Sequence, residues 1–70
     1  MKFRVMNHSG DTETNYSEFE TAEAMARFQA LLKDGNIAAT RKDGETDYRV
    51  TRDFKDLQDE TVFKPQLKGG

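Results

Sequence analysis

One stretch of this chain, Thr21 to Lys33, repeats its apolar residues at helical spacing, and every other patterned stretch repeats at the spacing of a strand. Ala22, Met25, Phe28 and Leu32, with Ala24 and Leu31 beside them, form the apolar stripe, and Glu23 and Arg27 stand one turn apart opposite it. Thr21 is placed to cap the start. Lys33, Asp34 and Gly35 close the helix, a cation at the negative end followed by a residue free to turn left-handed. A single amphipathic helix cannot bury its own stripe, so it needs a sheet, and 70 residues leave room for one small layer of each.

The strands can be placed from alternation and turn chemistry. Lys2 to Asn7 sets Phe3 and Val5 against Lys2 and Arg4, and His8, Ser9, Gly10 and Asp11 are turn formers. With Ser9 and Gly10 as the loop, Val5 faces Thr14 and Phe3 faces Tyr16, so residues 2–18 read as a hairpin. Residues 37–42 and 45–52 flank Asp43-Gly44, a type I′ turn signal that puts Ala39 opposite Tyr48 and Ile37 opposite Val50. The expected core is therefore the helix stripe against Phe3, Val5, Tyr16, Ile37, Ala39, Tyr48 and Val50. Phe54 and Leu57 pin a short turn to it. Residues 61–64 form a last strand that Pro65 ends, leaving a domain of residues 1–64 and a flexible tail of residues 65–70.

Composition narrows the function. The chain is 34% hydrophobic and 34% charged, so its core is thin and a deep, water-free catalytic pocket is not expected; the reading is of a protein that is not an enzyme. A formal net charge of -2 supplies no broad positive field, which argues against nucleic acid. No apolar run is long enough for a membrane span or a secretory leader, so the expected location is the cytoplasm. With no cysteine and one histidine, neither a disulfide, a transition-metal set nor a cofactor is expected. Asp53, Asp56, Asp59 and Glu60 miss the calcium-loop pattern and read as a solvated loop. His8 and Ser9, neighbours at a hairpin tip, have no third group to orient them for catalysis. Arg41, Arg49, Arg52 and Lys55 read as an ordinary charged sheet face.

The element order, strand, strand, helix, strand, strand, strand, resembles the β-grasp fold of ubiquitin-like proteins. Residues 59–70, Asp-Glu-Thr-Val-Phe-Lys-Pro-Gln-Leu-Lys-Gly-Gly, give an acidic turn, an apolar strand and then aromatic-x-Pro-x-aliphatic-x-Gly-Gly. This is similar to the sulfur-carrier branch, which includes the small subunit of molybdopterin synthase and the thiamine-pathway sulfur carrier. Gln66 stands where the molybdopterin-type tail usually has a second proline, and Arg41-Lys42 where that branch tends to carry Val-Asn.

The resemblance implies an α+β, ubiquitin-like domain: five short mixed strands, one helix packed across one face, the first and last strands parallel neighbours at the centre. It implies that an ATP-dependent activating enzyme adenylates the carboxylate of Gly70, after which sulfur gives a thiocarboxylate for a sulfur-accepting enzyme. The carrier itself contributes no catalytic group. Gly69 and Gly70 lack the Cβ that would crowd a narrow channel and the reacting carbon. Phe63, Lys64, Pro65, Leu67 and Lys68 are the expected tail and docking residues, and six extended residues from Pro65 reach roughly 20 Å. Met6 and Val62, joined by Ala38, are expected to form a small apolar docking patch on the far side of the sheet. Two other readings stay open: a ubiquitin-like modifier joined to lysines of a target protein, and a non-conjugated interaction module.

Overall fold

Alternation builds the first hairpin as expected, β1 over Lys2–Asn7 and β2 over Gly10–Asn15, in a computed structural model that describes residues 1–7 and 9–66. The expectations for His8, Leu67, Lys68, Gly69 and Gly70 lie outside the described residues. Phe3 pairs with Thr14 and Val5 with Thr12, two residues from the expected partners. Because the pleat repeats every two residues, that shift keeps each side chain on its face. Tyr16 still meets the Phe3 ring edge to face at 5.1 Å. The turn is the cause: Asn7 pairs with Gly10, and its side-chain oxygen accepts the Ser9 N–H at 2.8 Å, closing the loop one residue early.

Helix α1 spans Thr21–Lys33, the expected limits. Its start is set one turn earlier than Thr21, by a 3₁₀ turn over Glu18–Glu20 in which the Glu20 carboxylate accepts the Ser17 N–H at 2.9 Å. That bond and the Ser17 hydroxyl hold the Glu20 carboxyl below its ordinary range. Thr21 does not cap the helix; its hydroxyl donates to the Glu18 carbonyl at 2.9 Å. At the other end Gly35 takes φ 94° and its N–H donates to the Leu32 carbonyl. The buried stripe is Ala24, Phe28 and Leu31, while Ala22 and Met25 are exposed. The stripe is turned because the largest ring, Phe28, takes the centre, 6.0 Å from Phe63 and 5.8 Å from Phe54.

Strands β3 (Asn36–Arg41) and β4 (Arg49–Thr51) follow, then a 3₁₀ turn over Phe54–Asp56 and β5 (Glu60–Pro65). The sheet order is β2-β1-β5-β3-β4, with β1 and β5 parallel in the middle and the other neighbours antiparallel. One helix lies across one face of this five-stranded mixed sheet, an α+β architecture of β-grasp type. Pro65 carries the pairing to Asn36, and the Gln66 N–H donates to the Gly35 carbonyl at 3.0 Å, so the residue after proline supplies the bond that proline cannot.

The second hairpin departs furthest from expectation. Ala39 pairs with Val50, not Tyr48, and β4 is only three residues long. Of the two turn residues only Gly44 has positive φ, 88°, so the Asp43-Gly44 turn is not type I′. Asp43 is held otherwise: its N–H donates to the Asp59 carboxylate at 2.8 Å. The faces of β3 are also reversed. Ala38 and Thr40 are buried under the helix, and Ile37 and Ala39 face out, as does Tyr48; Val50 is 71% exposed. Antiparallel pairing with β5 sets Ala38 opposite Phe63 and Thr40 opposite Thr61. The rings of Phe63 and Phe28 already fill the space beside β3, which leaves room for a methyl group and none for isoleucine. Thr40 suits the inner position because its hydroxyl accepts the Gln58 N–H at 2.8 Å and donates to the Glu60 carbonyl at 3.0 Å.

The core is a run of five rings in edge-to-face contact, Tyr16, Phe3, Phe63, Phe28 and Phe54 in that order, with centroids 5.0 to 6.0 Å apart. Ala24, Leu31 and Ala38 complete it, and Phe54 and Leu57 pack against it as expected.

Candidate functional site

The helix covers one face of the sheet and leaves the other open. Opposed residues in neighbouring strands share a face, so the pairing maps the open side directly. Arg4, Val62, Ala39 and Val50 form one row across four strands; Lys2, Glu60 and Arg41 form the next. Lys64 and Ile37 are paired beyond the first row, and Met6 lies on the same side of β1. Arg4, Met6, Ala39, Tyr48, Val62 and Lys64 line a shallow depression there, and a second adjoins it between Met6, Asn7, Lys64 and Pro65.

Met6 and Val62 are therefore brought together, as expected, on the uncovered face. Their third member is Ala39, because the reversal of β3 sends Ala38 into the core. Lys64 and Pro65 are exposed beside the patch. Phe63, expected among the docking residues, is instead fully buried against Phe3 and Phe28; it fixes β5 from beneath and so aims Val62 and Lys64 outward.

A second feature of this face was not anticipated. Glu60 is 5% exposed, so it does not belong to a solvated acidic loop. Its Oε1 accepts from Arg41 Nε at 2.8 Å and from the Tyr48 hydroxyl at 3.1 Å, with Arg41 Nη2 at 2.7 Å; Arg4 Nη2 lies 3.5 Å from Oε2. Arg4 also bonds Glu13 at 3.1 Å, and the Arg41 guanidinium lies over the Tyr48 ring at 5.1 Å. The Arg41 hydrogen bond holds the Glu60 carboxyl below the ordinary range, against the upward push of burial and with help from Tyr48 and Arg4. An ionised carboxylate held this way makes a poor proton shuttle and a good anchor: it links β1, β3, β5 and Tyr48 of the β3–β4 connection into one platform. Only the parity of Glu60 with Val62 along β5 could have signalled this in the sequence.

Replacing Glu60 by glutamine is expected to cost about 1–2 kcal/mol at neutral pH through the loss of charge-assisted bonds. The folded carboxyl titrates below its unfolded counterpart, so its contribution is complete above the ordinary carboxylate range and disappears as pH falls through the folded value. Urea midpoints measured from neutral pH to about pH 3 should show a steeper acid decline in the wild type than in the Glu60→Gln variant. Parallel curves would refute the assignment.

The remaining acids of that segment hold loops in place. Asp53 accepts the Lys55 N–H at 3.0 Å and Asp56 accepts from the Thr51 hydroxyl at 3.2 Å. Among the described residues no group of three or more acidic or imidazole side chains converges as a metal site, and no helix is long and apolar enough to cross a membrane. No family model, curated protein or solved structure matches this chain.

Proposed function

We propose that this protein is a cytoplasmic ubiquitin-like sulfur carrier whose Gly70 carboxylate is activated by an ATP-dependent adenylating enzyme. The carboxylate attacks the α-phosphate of ATP and releases pyrophosphate; a sulfide sulfur then displaces AMP from the acyl carbon, giving the thiocarboxylate that a sulfur-accepting enzyme consumes. The observation that supports this reading is the sequence position of Gly69-Gly70, a few residues past the central strand of a β-grasp sheet, whose last backbone bond among the described residues is made by Gln66. Four residues beyond Gln66 span at most about 14 Å, so the activating enzyme must come close to the sheet to receive the carboxylate. The open face with Met6, Val62, Ala39 and Lys64 lies beside that exit and is the surface on which it docks.

Intact-mass spectrometry of the protein recovered from its native cells tests the proposal. The expected product has sulfur in place of one terminal oxygen. Gly-Gly remnants on lysines of other proteins, without that product, would identify a modifier, and neither product in cells that contain the activating enzyme would leave a non-conjugated interaction module.

A further inference from the structure

Helix α1 has a solvent face that a lone domain does not need. Phe19, in the 3₁₀ turn that leads into the helix, is 91% exposed. Ala22, Ala26 and Ala30 continue from it at successive turns, all exposed, where such a face ordinarily carries charge. Glu23 and Arg27 lie along one side of this face, Glu18 stands before the helix and Lys33 at the end of the face itself, so acid lies toward the start and base toward the end. Glu23 and Arg27 have the spacing of an intrahelical pair, yet the ion pairs among the described residues all lie on the sheet, at Arg4, Glu13, Arg41 and Glu60.

We propose that this face is a homodimer seam, in which two copies pack their α1 helices antiparallel about a two-fold axis, Phe19 of each against Ala30 of the other, Ala26 of each near the axis, and Glu23 of each against the partner's Arg27. A two-fold axis brings the same flank of the helix onto itself in the opposite direction. Residues equally far from the midpoint on either side then meet. Glu23 and Arg27 straddle Met25 evenly, and Phe19 and Ala30 straddle it nearly so. The charge pattern is thus complementary to its own reverse, whereas a parallel two-fold would bring opposite flanks together and leave Glu23 and Arg27 of each copy on different sides of the seam. Alanines at the crossing allow the helix axes to approach to about 8 Å, and each Phe19 leaves water for an apolar floor. A helix of 13 residues is about 20 Å long, so the seam is small and the dimer is weak.

Sedimentation equilibrium up to about 1 mM protein reads the association, with far-UV circular dichroism confirming that each variant is folded. The wild type is expected to dimerise with rising concentration, and Phe19→Ser to weaken the dimer about a hundredfold, since two rings lose their burial. Glu23→Arg and Arg27→Glu should each be monomeric alone, because each sets like charges at both symmetric contacts. Mixed in equal amounts they should form a heterodimer, since every facing pair is then of opposite sign. A monomeric wild type, a Phe19→Ser variant that dimerises as well as the wild type, or a mixture that remains monomeric would overturn the proposal. The seam lies on the far side of the sheet from Met6, Val62 and Lys64, so none of these results bears on the activation of Gly70.

Discussion

Phe63→Ala is expected to leave most of the protein unfolded at room temperature. The ring is fully buried and touches both Phe3 and Phe28, at 5.0 and 6.0 Å, so its removal cuts the run of aromatic contacts in the middle and separates the sheet's packing from the helix's. Truncating a buried phenylalanine costs about 3–5 kcal/mol. A domain of this length holds only about 4–10 kcal/mol in total, and small domains lie toward the lower end. Phe63→Leu retains most of the volume and should cost less than about 1.5 kcal/mol, giving a folded control. Urea titration followed by circular dichroism distinguishes the two; a cooperative transition for the alanine variant close to that of the leucine variant would show that the rings do not form one connected core.

Removing Gly69 and Gly70 is expected to abolish thiocarboxylate formation entirely while leaving the unfolding free energy from urea titration within about 0.5 kcal/mol of wild type. The core residues and every described strand pairing lie at or before Pro65, so the deletion withdraws the reacting group and spares the platform. The readout is the sulfur-bearing product in native cells that express the shortened chain in place of the full one. Persistence of that product, or of the protein's cellular activity, would move the function from the terminal carboxylate to the open sheet face.

The residues differ in how far their roles could be read before any coordinates. Helix limits and the limits of β1 were legible because their signals are local: a periodic stripe, a glycine stop, an alternation bounded by turn formers. The parallel placement of β1 beside β5 followed from the resemblance, not from the pattern. The facing of β3 was not legible. Residues 37–40, Ile-Ala-Ala-Thr, offer apolar side chains on both sides, and assigning the larger one inward is sound until the space is already filled by Phe63 and Phe28 from distant parts of the chain. Tyr48 and Val50 followed that error outward. Glu60 was misread for the same reason, since its burial depends on Arg41, Arg4 and Tyr48, none of them near it in sequence. Met6 and Val62 were placed correctly because each is fixed by the parity of its own strand.

The pairing of β1 with β5 has a consequence for how the molecule is made. The middle of the sheet is assembled from the first and the last of the described strands, so no chain holds the central ladder before residues 60–65 have been made and are free to pair. Prematurely terminated products lack half of that ladder and the Phe63 ring, and they stay open to proteolysis, so the cell's stock of the protein is expected to consist of chains whose synthesis reached β5.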